Sequence, residues 1–81
     1  MILENSKLKN RSYKEDIDFR RSLLSKHSQF MRMYLRYNNI KKAKEEFESV
    51  KSLFIFLNDK GETMDYYTLE DFKRDSLRFE Q

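Results

Sequence analysis

Few side chains in this sequence could take part in catalysis. The 81 residues include a single histidine, His27, and no cysteine. Nucleophilic catalysis needs an activated serine, cysteine or lysine beside an oriented base, and that base is usually a histidine. His27 lies in a row of apolar residues at helical spacing, a position typical of a partly buried structural histidine. We therefore expect a protein that is not an enzyme.

Cofactor and metal sites are also not indicated. Gly61 is the only glycine, so no glycine-rich phosphate loop exists. Asp71 and Asp75 are spaced i, i+4, and Glu45, Glu46 and Glu48 lie along one segment, but a specific divalent cation site needs about six oxygen ligands from a shaped loop. We interpret these acids as solvated faces and expect no cofactor and no metal.

A group of basic and aromatic residues around Asn38-Asn39 is the strongest indication of a binding site, and we call it the tip cluster. Lysines in the first turn of a helix are disfavoured by the helix dipole by some tenths of a kcal/mol each, which suggests a functional reason for them. Such a group suits a phosphate or an acidic protein surface, with tyrosines that stack on a base or fill a pocket. The tip cluster comprises Arg32, Tyr34, Arg36, Tyr37, Lys41, Lys42 and Lys44.

A purely structural interpretation of the three lysines is also open. Lys41, Lys42 and Lys44 each precede a glutamate by four residues, and such pairs stabilise a helix weakly. Under this interpretation the lysines form a solvated face with no partner.

The run Leu53 to Leu57 is a second candidate surface. Five consecutive apolar residues on a helix cannot all face one side. They are covered by a third helix, belong to a strand, or form an apolar interface with a partner or a second copy of the chain. The residues of that possible interface are Leu53, Phe54, Phe56 and Leu57.

The elements that must position these groups are predicted to be helices, because the sequence has no proline and almost no turn signals. Ser12 to Glu15 form a capping-box pattern that begins a helix. Asn38-Asn39 ends it, and a strong period from Ile40 to Leu57 predicts the next one. A cap-like start at Thr68 predicts a short third helix that uses Leu69, Phe72 and Phe79 as its apolar face.

The face of the first helix that meets the core is expected to be broad. Apolar residues recur at steps of four and three, which predicts a core-facing stripe. Its members are Leu23, His27, Phe30, Tyr34 and Tyr37, widened by Ile17, Leu24, Met31 and Leu35.

The fold class that follows is mainly α: an antiparallel helical hairpin over about 13–37 and 40–57, and a C-terminal helix over about 69–79. The alternative is an α+β fold with a β-hairpin at about 53–57 and 63–68, since the region is rich in aromatic residues and contains a glycine turn. Residues 12–81 are predicted to form one small helical domain, preceded by a flexible basic arm over residues 1–11.

Charge is distributed unevenly along the chain. Residues 1–44 carry twelve Lys or Arg and four acids, a net charge of +8, whereas residues 45–81 carry five and ten, a net charge of −5. A basic region of this kind attracts phosphates or acidic proteins. No apolar segment is long enough to cross a membrane or to serve as a signal peptide, so we expect a cytoplasmic protein with no membrane association.

These patterns predict a regulatory or adaptor protein that binds another protein. The richness in Lys, Asn, Phe and Tyr is typical of an AT-rich coding source such as many phages, so one form of this function is a phage-type inhibitor of a host factor. The alternative is a DNA- or RNA-binding module that uses the tip cluster and the arm residues Lys7, Lys9, Arg11 and Lys14. Association with a second copy of the chain also remains open.

Overall fold

The computed structural model describes residues 12–62 and 64–80. It contains three helices, α1 (Tyr13–Arg36), α2 (Ile40–Asp59) and α3 (Leu69–Phe79). Helices α1 and α2 pack along each other as a hairpin, and α3 packs against α2. The predicted mainly-α fold with a hairpin and a short C-terminal helix is confirmed. The predicted arm over residues 1–11 lies outside the described residues.

Local capping signals determine where the helices begin. The Ser12 side chain accepts a hydrogen bond from the Glu15 amide, and the Glu15 carboxylate accepts one from the Ser12 amide, each at 3.1 Å. Thr68 and Asp71 form the same reciprocal arrangement at the start of α3. Both boxes satisfy amides that have no partner within the helix.

The turn between α1 and α2 uses two asparagines for different purposes. Asn38 adopts a left-handed conformation with φ of 61°, which asparagine tolerates better than most residues. Asn39 caps α2, and its side chain accepts a hydrogen bond from the Lys42 amide at 3.3 Å. A connection this short makes α1 and α2 antiparallel neighbours.

The alternative β-hairpin is wrong for the described residues, because residues 53–57 belong to α2 and no strand occurs in residues 64–68. Gly61 does not form the turn of a hairpin. It has φ of 72° and ends α2, where the amide of Glu62 donates to the carbonyl of Leu57 at 2.8 Å. The unbroken 3.6-residue period of α2 outweighed the β propensity of its aromatic residues.

The core lies between α1 and α2 and extends beneath α3. Five residues of the predicted apolar face of α2 are buried, namely Ala43, Phe47, Val50, Phe54 and Leu57. Aromatic rings attach α3 to this face. Phe72 stacks on Phe54 with ring centroids 4.6 Å apart, and Phe79 stacks on Phe47 at 5.2 Å.

The face of α1 that enters the core is narrower than predicted and centred elsewhere. Its buried residues are Ile17, Leu24, Ser28 and Met31, whereas Phe30 and Tyr37 of the predicted stripe are exposed. Ser28 can occupy a buried position because its hydroxyl donates to the carbonyl of Ser25 at 2.9 Å. Because serine counts as polar in a hydrophobicity pattern, the pattern predicts the wrong centre for the buried face of α1.

Two further residues differ from the predicted core. Ile40, the first residue of α2, is 50% exposed, because α1 ends at Arg36 and does not extend over it. Leu69 in the first turn of α3 is 46% exposed. The apolar face of α3 instead consists of Phe72 and Phe79, with Asp75 between them.

Asp75 is fully buried, contrary to the expectation of a solvated acidic face. Its carboxylate accepts a hydrogen bond from the hydroxyl of Tyr67 at 2.8 Å and one from Nε of Arg74 at 3.3 Å. A second arginine, Arg78, lies 3.8 Å away. Tyr67 is itself fully buried, so each group supplies the polar partner that the other needs.

Tyr67 is expected to resist ionisation in the folded protein. Burial, and secondly the hydrogen bond to Asp75, raise the pKa of Tyr67 well above its ordinary value of 10.0. Because folding favours the protonated phenol, this contribution to stability is complete below pH 10 and is lost progressively as the pH rises further. Phenolate absorbance followed together with far-UV circular dichroism should show one of the five tyrosines ionising only as the helices unfold.

Two matched variants identify the tyrosine responsible. Tyr67→Phe should remove the ionisation step that accompanies unfolding, whereas Tyr37→Phe, at a side chain that is 74% exposed, should retain that step. Ionisation of all five tyrosines while the helical signal is intact would contradict the prediction.

Candidate binding site at the hairpin tip

The structure brings the seven residues of the tip cluster to one end of the hairpin. Four come from the last turns of α1 and its C-cap, and three come from the first two turns of α2. Arg32, Arg36, Lys41, Lys42 and Lys44 are all exposed. Tyr37 is 74% exposed, and Tyr34 is half-buried against the core.

The five cations of the tip cluster form no ion pair with any acid in residues 12–62 and 64–80. The lysine–glutamate pairs of the structural interpretation are not formed. Glu46, four residues after Lys42, instead accepts from Nδ1 of His27 at 2.6 Å. Lys42 lies over the ring of Tyr34, 5.8 Å from its centroid. The cationic charge at the tip is therefore not neutralised by neighbouring side chains.

The start of α2 is an unfavourable place for these lysines. The first turn of α2 contains no acid, whereas those of α1 and α3 each contain two. The positive end of the helix dipole and the free amides act in the same direction as the lysine charges. The helix dipole with its free amides and the lysine charges would all favour binding of an anionic group here.

Arg32 extends this charge towards the start of α3. The pKa of Asp71 lies below its ordinary value, mainly because the backbone of Thr68 donates a hydrogen bond to its carboxylate. The Thr68 hydroxyl and the charges of Arg74 and then Arg32 lower it further. Arg32 thus acts on Asp71 through space, without an ion pair.

Exposed apolar side chains lie among the cations, a feature that the sequence did not indicate. Ile40 is 50% exposed and Met33 is 38% exposed, beside the exposed ring of Tyr37. Sequence reasoning assigned Ile40 to the core because it continues the period of α2. The position of Ile40 in the helix could have indicated its exposure, since the first residue of α2 follows a three-residue connection and extends beyond the end of α1.

The second candidate surface, the run from Leu53 to Leu57, is mostly internal. Phe54 and Leu57 belong to the core, so the prediction that they form an interface is wrong for these two residues. Leu53 and Phe56 are half-buried against the core. Ile55, which was not among the predicted interface residues, is the exposed member at 50%. Helix α3 covers the far side of the run, as Phe72 on Phe54 shows.

His27 connects the two helices of the hairpin. Its contact with Glu46 joins α1 to α2, and the two side chains are 28% and 23% exposed. Among the residues described, no group of three or more His, Cys, Asp or Glu could hold a metal ion. None of the described helices combines the length and apolar character that crossing a membrane requires.

Comparison with known proteins found no match: no family model, no curated protein and no solved structure is similar to this chain. Any function must therefore be argued from the site itself.

Proposed function

We propose that this is a small non-enzymatic regulatory or adaptor protein that acts in the cytoplasm and binds another protein through its hairpin tip. The observation that carries the proposal is the group of five exposed cations without ion pairs at one end of the hairpin. Three of them occupy a helix start where they oppose the helix dipole. A partner that supplies negative charge turns this unfavourable arrangement into a favourable one.

The apolar side chains within the cluster favour a protein as the partner. Ile40 and Met33 are aliphatic and exposed, and a phosphate backbone offers little apolar surface to cover them. Protein interfaces typically surround apolar and aromatic anchors with a charged rim, and Tyr37 is suited to be such an anchor. The expected partner surface is acidic, with an apolar recess for Tyr37 and Ile40.

Two glutamates beyond the lysines also argue against a nucleic-acid partner. Glu45 and Glu48 are exposed and follow Lys41 and Lys44 by one turn on α2. They would repel a continuous line of phosphates that runs along the helix, whereas a protein can confine its acidic residues to the tip. Of the arm residues in the nucleic-acid alternative, Lys14 is already paired with Asp18 at 2.8 Å. Lys7, Lys9 and Arg11 lie outside the described residues.

A charge reversal at the tip tests the proposal. The double variant Lys41→Glu with Lys42→Glu is expected to weaken partner binding by at least about a hundredfold, because two attractive contacts become repulsive. It should leave the helical signal intact, since acids in the first turn of α2 suit the helix dipole. The measurement is affinity purification of the full chain from its native host with mass spectrometry, followed by a titration against the protein identified.

A matched control reverses the same number of charges elsewhere. Lys60→Glu with Lys73→Glu alters two exposed lysines outside the tip cluster and should leave partner binding within about threefold. Equal losses in the two double variants would mean that only net charge matters. If nuclease treatment releases the captured material, the partner is a nucleic acid and the proposal is overturned. An identified host factor whose activity falls on binding supports the inhibitor form of the function.

A further inference from the structure

Of the three glutamates that follow the tip lysines on α2, Glu46 is the partly buried one. Its carboxylate accepts a hydrogen bond from Nδ1 of His27 on α1 at 2.6 Å. The side chains of Glu46 and His27 are 23% and 28% exposed, whereas Glu45 and Glu48 are exposed to solvent. A carboxylate removed from much of its water needs a donor or a cation beside it. Glu46 therefore depends on a partner more than the other two glutamates do.

Without His27, Lys42 is the cation on α2 that is placed to pair with Glu46. Side chains on a helix meet at spacings of three and four residues. The positions at these spacings from Glu46 are occupied by Lys42, Ala43, Ser49 and Val50. Of these four residues only Lys42 carries a charge. A Glu46 carboxylate that has lost its donor therefore attracts the ammonium of Lys42.

Lys42 has no strong partner while His27 holds Glu46. Its ammonium lies 5.8 Å from the ring centroid of Tyr34, a weak attraction at an exposed site. His27 and Tyr34 are seven residues apart on α1, which is about two turns, so they lie on the same side of that helix. Lys42 and Glu46 are one turn apart on α2. The two contacts between the helices are therefore neighbours, and Lys42 can exchange one for the other.

The other lysine–glutamate spacings show why such control is confined to Glu46. Lys41 precedes Glu45 by four residues, and Lys44 precedes Glu48 by four. Neither forms an ion pair among the described residues. All four side chains are exposed, and an ion pair between solvated groups gains little. Because Glu46 is partly buried, its charge is screened less, and an ion pair there is stronger.

We infer that His27 is a positioning residue for the tip cluster: by holding Glu46 against α1, it keeps the ammonium of Lys42 available to an anionic group of the partner. The inference rests on the proposed function, because it concerns the same surface. When the His27 donor is lost, Glu46 turns to Lys42 and neutralises it. The tip then presents four cations in place of five, although no residue of the tip cluster has changed.

A double-mutant cycle with inorganic tripolyphosphate as the probe tests the inference. This anion reports on the charge available at the tip, and its affinity for the full chain is measured at low salt from the NMR shifts of the amides of residues 39–44. His27→Ala should weaken its binding about threefold, since one cation is lost to the probe. Glu46→Gln should restore binding in the His27→Ala background and gain at least about threefold more there than in the wild-type background.

A second cycle identifies Lys42 as the residue through which His27 acts. Lys42→Ala weakens tripolyphosphate binding by itself, because it removes a tip cation. In that background His27→Ala should have no further effect, since no ammonium remains at position 42 for Glu46 to neutralise. A further threefold loss in the Lys42→Ala background would contradict the inference.

The matched control is Glu45→Gln. Glu45 is the neighbouring acid and is exposed, so Glu45→Gln removes the same charge from a side chain that His27 does not hold. It should strengthen binding by the same factor with and without His27. His27→Leu keeps an apolar side chain between the helices but has no donor, and should weaken binding as His27→Ala does. His27→Gln keeps an N–H donor and should weaken it less. Far-UV circular dichroism checks that each variant is folded.

The inference is overturned if His27→Ala and His27→Leu bind tripolyphosphate as tightly as the wild type, or if Glu46→Gln gains the same factor with and without His27. Its failure is distinguishable from failure of the proposed function. The tripolyphosphate cycles need no protein partner, whereas the proposed function fails if nuclease treatment releases the captured material.

Discussion

Replacing Asp75 with alanine is expected to lower the free energy of unfolding by about 3 kcal/mol, a large part of the stability of so small a domain. The carboxylate is fully buried and accepts the hydrogen bond of the Tyr67 hydroxyl at 2.8 Å. Its removal leaves that hydroxyl in the core without an acceptor, and an unsatisfied buried polar group destabilises a protein by about 1 to 3 kcal/mol. Arg74 and Arg78 also lose their shared partner.

Urea unfolding followed by circular dichroism measures this loss. Asp65→Ala is the matched control, because Asp65 is exposed and forms no ion pair within the described residues, and it should change stability by less than about 0.5 kcal/mol. Asp75→Asn keeps an acceptor for Tyr67 and should lose less than Asp75→Ala. A loss equal to that of the control would show that Asp75 is hydrated in solution.

A double-mutant cycle isolates the contact with Tyr67. Tyr67→Phe removes the hydroxyl that Asp75→Ala would leave without an acceptor, so the two losses should not add. The double variant is expected to be about 1 kcal/mol more stable than the sum of the single effects predicts. Simple additivity would mean that the two groups do not depend on each other.

Most of the helix boundaries could be predicted because their causes are local. Each of these causes acts within four residues of a helix boundary. They are the capping box at Ser12, the left-handed Asn38, the cap at Asn39 and the glycine end at Gly61. The buried face of α2 was also predictable, since five residues at steps of three and four agree with one another. The competing β-hairpin failed because this period continues through residues 53–57.

Features that depend on distant contacts could not be predicted. An aspartate in an amphipathic helix is expected to be exposed to solvent, and only the folded structure places the Tyr67 hydroxyl beside Asp75. The face of α1 was misplaced because both sides of the helix are apolar, and the sequence contains no sign of which side meets α2. The tip cluster lies between these cases. Its members were predictable from type and position, but the lack of a Lys42–Glu46 pair depends on His27 contacting Glu46 across the hairpin.

Phe47→Ala is expected to have the second large effect on stability, because Phe47 attaches α3 to the hairpin. Phe47 is fully buried on α2, and its ring stacks on Phe79 at 5.2 Å and on Phe72 at 6.1 Å. Truncation removes both ring contacts and leaves a cavity, so we expect a loss of about 4 kcal/mol. Leu77→Ala, at a side chain of α3 that is 66% exposed, should lose less than about 0.5 kcal/mol.

The loss from Phe47→Ala should not be uniform along the chain. Helix α3 meets the hairpin largely through Phe72 and Phe79, whereas α1 and α2 pack against each other much more extensively. Native-state hydrogen exchange should therefore show the amides of α3 losing protection before those of α1. Equal acceleration in the two helices would mean that α3 is an inseparable part of the hairpin core. Selective acceleration would mean that Phe47 holds α3 on a hairpin able to persist without it, so that the tip cluster depends on α1 and α2 alone.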